Sequence, residues 1–369
     1  MRILIDAHCF DHQGTEGIDT YIKGIYTRLP ALAPEAEFFF AARDTARLRS
    51  IFGDAPNTDF VSLNASTRLR RILLEFPRII RHIGADAAHF QYFAPPVLKC
   101  RTIVTLHDIL FKDFPQFFPS AYRLSRDPAF RHSSRRADIL TTVSSYSRDR
   151  ISSHYGISPD SIEVIPNAVA DDFFDIDADA ARSFAGSRGV RPYILNVSRI
   201  EPRKNQLALL QAYTGLNLAQ RGYDLVLINQ PALPVAEFDR YLASIPDETR
   251  KHIHTPGPVS HDELRMWYAG AALFVYPSMA EGFGIPPIEA GAARIPVICN
   301  DSTAMHDFAF LGQNLADLSQ SGILERLIER NLAAPPSADE LKNISDTIRT
   351  RYSWQESAER LLAIMKKIL

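Results

Sequence analysis

Only three cysteines stand in this chain of 369 residues, Cys9, Cys100 and Cys299, too few and too far apart for a disulfide framework or a CxxC metal site. A reducing compartment is expected, with each thiol acting as a small buried apolar residue. Long apolar runs are also missing, since no stretch approaches the roughly 18 residues needed to cross a bilayer. The opening Met1-Arg2-Ile3-Leu4-Ile5-Asp6-Ala7 meets an aspartate after three apolar residues and lacks the apolar core and cleavage site of a secretory leader. The expectation is a cytoplasmic protein, soluble or peripheral at the inner membrane. A strong charge of one sign is absent too: 41 Lys/Arg against 43 Asp/Glu leaves −2, which excludes a strong electrostatic claim on nucleic acid.

What is present is enough apolar material, 46% hydrophobic residues over this length, for two ordinary cores. Charge is uneven along the chain. Residues 1–150 hold 21 Lys/Arg and 16 Asp/Glu, a local excess of 21 − 16 = +5. Part of it lies in Arg68, Arg70, Arg71, Arg78 and Arg81, interleaved with Leu69, Ile72, Leu73, Leu74, Ile79 and Ile80. Such a segment suits contact between the N-terminal domain and an anionic membrane, and equally an ordinary amphipathic surface helix.

Short β-rich runs alternate with helical periods from end to end, which argues for parallel sheets covered by helices. Strands are expected at Arg2–Ala7, Glu37–Ala41, Asp59–Leu63, Ala87–Phe90, Thr102–Leu106, Ile139–Val143 and Ile162–Ile165, one complete sheet. A second series follows at Tyr193–Val197, Asp224–Ile228, His252–His254, Ala272–Tyr276 and Val297–Cys299. The acidic, apolar-poor stretch Ala170–Ala180 reads as the linker, with Pro166-Asn167 punctuating the strand before it. These signals divide the chain into 1–172, 173–350 and a terminal helical segment 351–369 whose apolar positions need a docking surface.

The most informative stretch is Tyr276-Pro277-Ser278, then Glu281-Gly282-Phe283-Gly284-Ile285-Pro286-Pro287-Ile288-Glu289-Ala290. A buried strand ends, a loop holds two glycines, and two prolines open a helix where their missing N–H groups cost nothing. Backbone amides of Gly282, Phe283, Gly284 and Ile285 and the positive helix end would gather at one place, which suits a diphosphate. Glu281 and Glu289 are offset along this segment, unlike the facing carboxylates of a retaining glycosidase. They read as two separate hydroxyl acceptors.

Arg199 and Lys204 lie in the loop after the strand Tyr193–Val197 and before a helical run, Gln206–Tyr213. There a guanidinium can bind phosphate oxygens bidentately and an ammonium supplies a mobile charge, although basic residues in a loop are more often simply solvated. Arg203 reads as solvent-facing. His107-Asp108 ends the strand Thr102–Leu106, and no second ligand stands at metal spacing to His107. Gly14 and Gly17 precede a helix, where backbone can approach a ligand. The loop Asn300–Met305 reads either as a cap on a nucleotide or as an ordinary helix N-cap.

With these residues in place, the chain resembles the retaining GT-B glycosyltransferases of family 4. Their E-G-F-G-x-x-x-x-E segment corresponds to Glu281–Glu289, and their G-x-x-x-x-x-K-N segment to Ser198–Asn205. The resemblance implies two Rossmann-like parallel-sheet domains facing an interdomain cleft, with the last helix crossing back to the N-terminal domain. It implies an acceptor-binding first domain and a nucleotide-sugar-binding second one. It implies that His107 contacts the transferred sugar with its backbone carbonyl near the reacting carbon, that Glu281 takes the sugar and Glu289 the ribose, and that Asp108 orients its loop. Phosphate binding by Arg199 and Lys204 is implied in the same way. Two departures stand out. Thr20 occupies a position where the family often has arginine, and Asn229 one where it usually has glycine.

The form Ile200-Glu201-Pro202-Arg203-Lys204-Asn205 with His107-Asp108-Ile109 is similar to bacterial mannosyltransferases of polysaccharide or lipopolysaccharide assembly. The function so implied is transfer of mannose from GDP-mannose, without metal or other cofactor, to a saccharide or lipid-linked saccharide. A UDP-hexose donor, a nucleotide-sugar epimerase or glycan phosphorylase, and a non-catalytic nucleotide-sugar-binding subunit are the alternatives.

Overall fold

The computed structural model describes residues 1–11, 17–229 and 235–368. They divide into two compact units, Met1–Ala168 with Tyr352–Leu369, and Val169–Arg351.

In the first unit seven strands form one parallel sheet: β1 (Arg2–Asp6), β2 (Glu37–Ala42), β3 (Thr58–Ser62), β4 (Ala87–Gln91), β5 (Arg101–Thr105), β6 (Ile139–Thr142) and β7 (Ile162–Val164). Their order is β3-β2-β1-β4-β5-β6-β7. The chain runs outward from β1 in one direction and returns to start β4 in the other, so the switch point lies between β1 and β4. Strand β4 is buried along its whole length, although it carries His89 and Gln91. Polar groups so placed must find partners inside the protein.

The helix Trp354–Ile368 belongs to this unit. It packs on the helix Gly17–Tyr26, where a Cβ added to Gly24 would come within 2.2 Å of the Trp354 indole. Ser357 Oγ ties the same helix to the Pro166 carbonyl at 2.9 Å. Gly24→Ala is therefore expected to destabilise the fold by about 1–3 kcal/mol through overpacking. A thermal melt matching wild type would refute this contact.

The second unit has β8 (Tyr193–Val197), β9 (Asp224–Ile228), β10 (Ile253–His254), β11 (Leu273–Tyr276), β12 (Val297–Asn300) and β13 (Leu315–Ala316), all parallel, in the order β10-β9-β8-β11-β12-β13. Its switch point falls between β8 and β11. All twelve expected strands are present within a residue or two of their ends. β13 is an addition, and with two residues it is too short to leave a pattern.

The acidic stretch expected as a linker is structured. Phe173 and Phe174 are buried in the second unit, Phe173 edge-on to Tyr268 at 5.7 Å and Phe174 beneath the Arg349 guanidinium at 4.1 Å. Asp177 caps the helix Ala178–Ser187 by accepting from the Asp179 and Ala180 amides. Two aromatic anchors thus place the unit boundary at Ala168–Val169. The cysteines also differ from expectation, for only Cys299 is buried while Cys9 and Cys100 are partly exposed. Among the described residues no helix is long and apolar enough to cross a membrane.

Candidate active site

Strands β8 and β11 are neighbours in register, so their carboxyl ends deliver two loops side by side. After β8 the chain makes a 3-10 turn, Pro202–Lys204, and Asn205 takes a left-handed φ of 54° before the helix Gln206–Gly215. After β11 Gly284 turns with φ 99° into the helix Ile285–Ala292, which has prolines in its first turn. A side chain at Gly284 would be strained by that φ and would press on Met305 and Phe308. The Met279 amide donates to the Arg203 carbonyl at 2.7 Å and fastens one loop to the other.

Glu281 is the centre of this junction. Its Oε1 accepts from Lys204 Nζ at 2.6 Å, Ser278 Oγ at 2.5 Å and Tyr276 Oη at 3.0 Å. Its Oε2 accepts from Arg203 at 2.9 Å. Arg203 also reaches the Ala280 carbonyl and the Glu201 carboxylate, each at 2.9 Å. Arg199 closes the series on the other oxygen of Glu201, again at 2.9 Å. Three cations thus face two carboxylates, leaving one positive charge in excess.

Burial alone would raise the Glu281 carboxyl. Arg203 and Lys204 beside it, with the Ser278 hydroxyl, outweigh that and hold it well below the usual carboxylate range. Lys204 is lowered to about 8, chiefly by burial, against the opposing pull of Glu281. It stays mostly charged at pH 7. Glu289, in the first helix after the turn, accepts from Tyr268 Oη at 2.8 Å and is raised by burial to about 7.

Asn300, the last residue of β12, and Ser302 and Thr303 just after it brace the Glu281 loop. Thr303 Oγ1 accepts from the Glu281 amide at 2.9 Å, Asn300 donates to the Ser278 carbonyl at 2.9 Å, and Ser302 donates to the Met279 carbonyl at 3.0 Å. Ser302 makes no side-chain cap on the turns that follow it.

In the first unit His107 follows β5 and is buried, with Tyr21 edge-on at 5.0 Å and Tyr92 at 5.4 Å. Its Nε2 lies 2.7 Å from Gln91 Oε1, and Gln91 Nε2 lies 3.3 Å from His89 Nε2. His89 continues to Tyr26 Oη at 2.6 Å and to Thr105 Oγ1 at 2.7 Å. The carbonyl of Gln91 towards His107 assigns the proton to Nε2 and leaves Nδ1 as an acceptor. Burial lowers both imidazoles to about 3, so they are neutral. The His107 carbonyl shares the Thr142 hydroxyl at 3.4 Å, and Asp108 accepts from the Leu110 amide at 3.1 Å, turning the loop.

The structure brings Arg199, Lys204, Glu281, Gly282, Phe283, Gly284, Ile285 and Glu289 to one end of the second sheet. Arg203 corrects the sequence reading: it is largely buried and bonded to Glu281, not turned to solvent. Gln91 and His89 were not anticipated, and two polar residues inside the run Ala87–Gln91 were their signal. Gly17 opens its helix, whereas Gly14 lies outside the described residues.

Two doubly wound parallel units, one with a cationic cluster at its switch point, have the GT-B architecture. Residues 15–173 match the family Glycosyltransferase Family 4, and residues 177–345 match the family Glycosyl transferases group 1. The O-antigen chain mannosyltransferase B of Escherichia coli is 31% identical over 225 residues, 58% of this chain and 56% of that protein. The GDP-mannose-dependent alpha-(1-6)-phosphatidylinositol monomannoside mannosyltransferase of Mycobacterium tuberculosis is 31% identical over 250 residues, 62% of each. The chain therefore spans little more than half the length of these curated relatives. Sucrose-phosphate synthase from Thermosynechococcus elongatus superposes with a TM-score of 0.78 at 19% identity, covering 99% of this chain and 98% of that one. The chain belongs to the family 4, group 1 glycosyltransferases of the GT-B fold, close to the bacterial mannosyltransferases.

Proposed function

We propose that this chain transfers mannose from GDP-mannose to a saccharide or lipid-linked saccharide acceptor with retention of configuration, on the cytoplasmic side of the membrane. The observation that carries the reading is the Arg203–Lys204–Glu281 junction at the β8–β11 switch point, a pre-built cationic site beside a helix N-terminus. The two mannosyltransferase relatives support the sugar, and the GDP-mannose dependence of one of them supports the base.

In this reading Arg199 and Lys204 take the diphosphate, Glu289 the ribose hydroxyls, and Glu281 and His107 the sugar. Lys204 turns part of its hydrogen bonding from Glu281 to phosphate. Negative charge grows on the departing diphosphate as the glycosidic bond stretches, so cations already in place stabilise the transition state more than the ground state. That scheme calls on no metal. Glu281 is enclosed by four donors and Glu289 is held by Tyr268, which leaves neither as a nucleophile at the sugar. Retention then follows from attack by the acceptor on the face the leaving group departs.

The pH dependence of donor affinity tests the electrostatics. Glu289 must be ionised to accept from ribose, so affinity rises as pH passes through about 7. Lys204 must be charged to hold phosphate, so affinity falls as pH passes through about 8. His107 is neutral throughout and adds no limb. A bell with its maximum between these values is expected by calorimetry, and Glu289→Gln removes the acid-side limb only. A flat profile would contradict both assignments.

A panel of GDP-mannose, UDP-glucose, UDP-galactose and the corresponding diphosphates, scored by melting shift, tests the donor. Ligand at a hundred times its Kd stabilises by about 2.7 kcal/mol, enough to read directly. GDP-mannose is expected to give the largest shift. A larger shift with a UDP-hexose overturns the base and sugar, and interconversion of free nucleotide sugars without acceptor overturns transfer.

A further inference from the structure

The first unit carries a surface that its own fold leaves uncovered. Between Thr67 and Ile83 the chain winds as a helical turn (Arg68–Arg70), a π-helical stretch (Arg71–Glu75) and a regular helix (Phe76–Ile83). Phe76 and Ile80 enter the core, whereas Leu69, Leu73 and Leu74 stand 68%, 44% and 62% exposed. These leucines recur at four and five residues, spacings that a π-helical turn brings onto one side. Single exposed apolar residues are ordinary on a soluble protein, but three together on one short segment are not.

The charge around them is one-signed. Five arginines stand between residues 67 and 83, and the one acid there, Glu75, is spent on the Asn64 and Ala65 amides at 2.6 and 3.0 Å. The margin continues onto the helix Ser120–Arg136. Arg68 lies over the Phe93 ring at 4.3 Å, and Arg126 lies over the same ring at 5.2 Å and over the half-exposed Tyr122 at 5.1 Å. Stacked guanidiniums therefore join the leucine segment to the second helix as one face.

We propose that this face docks on an anionic lipid bilayer, with Leu69, Leu73 and Leu74 entering the acyl boundary and Arg68, Arg70, Arg78 and Arg81 meeting the head-group phosphates. Charge complementarity selects this occupant. Exposed aliphatic side chains rimmed by cationic ones, with the one acid of the segment already bonded to backbone amides, fit a fluid and negative plane. None of these residues belongs to the donor cluster, so the inference stands apart from the transfer reading.

Co-sedimentation of the full chain with phosphatidylcholine vesicles, with and without about a third phosphatidylglycerol, tests it. Binding is expected to the anionic vesicles, about tenfold or more weaker to neutral ones, and weakened as salt shortens the Debye length. The triple change Leu69→Ser, Leu73→Ser, Leu74→Ser is expected to lower partition about tenfold at every salt concentration. Arg70→Glu with Arg78→Glu is expected to lower it similarly and flatten the salt dependence. Both variants replace exposed side chains, and thermal melts and donor-induced shifts are expected to match wild type. No binding to anionic vesicles, or equal binding by the variants, overturns the proposal. Loss of concentration-dependent self-association in the leucine variant, without a change in vesicle binding, also overturns it and makes the face a protein interface.

Discussion

Lys204→Ala is expected to lower kcat/KM for the donor about 10²–10³-fold, the range seen when one pre-positioned group facing transition-state charge is removed. The same change also affects the fold, because Glu281 is left buried with Arg203 as its remaining cation. Breaking a buried ion pair from one side costs about 3–5 kcal/mol in general, and Arg203 moderates that here. Glu281→Gln leaves the mirror problem, Lys204 without its carboxylate and Arg203 with Glu201 alone. The double variant Lys204→Ala, Glu281→Gln should therefore recover stability that each single variant lacks, while activity stays low. Chemical denaturation and steady-state kinetics on the four proteins separate the two roles as a double-mutant cycle. Near-wild-type turnover in Lys204→Ala, with its melt intact, would remove the basis for assigning this cluster to the donor.

The second large effect is expected at His107 and Gln91. On the proposed reading His107→Ala should lose about 10²-fold in kcat, since the imidazole assigned to the sugar disappears. Gln91 acts through His107, and Gln91→Leu takes away the amide oxygen 2.7 Å from Nε2. A fall of about tenfold in kcat with donor KM little changed is the signature of lost positioning. Gln91→Glu makes the opposite perturbation. A carboxylate at that oxygen favours the charged imidazole, lifts His107 from about 3 towards its ordinary value, and brings a new ionisation into the rate profile. Nitrogen NMR of the ring reads the tautomer without reference to turnover. Wild-type kcat together with an unchanged tautomer in Gln91→Leu would reduce Gln91 to packing.

Local patterns carried most of the architecture. The strands of both sheets were legible because a buried parallel strand is a short apolar run, which needs no knowledge of its neighbours. The Glu281–Glu289 segment was legible for a similar reason, since glycines and prolines state their backbone demands residue by residue. The misreadings came where contacts run between distant segments. Asp171–Asp179 looked like a linker because acidic residues outnumber the two phenylalanines that anchor it.

Arg203 looked solvated because nothing nearby in sequence requires it. Only the adjacency of β8 and β11 sets its guanidinium against a carboxylate 78 positions away. In the same way β4 announced itself as a strand, but the order of the sheet placed Gln91 beside His107 across 16 residues. The sequence alone determined two α/β units, their strands and the types of residue available for chemistry, because period and turn chemistry are local properties. Which charges neutralise one another, and which ring nitrogen keeps its proton, was decided by tertiary structure, because those depend on distances that strand order creates.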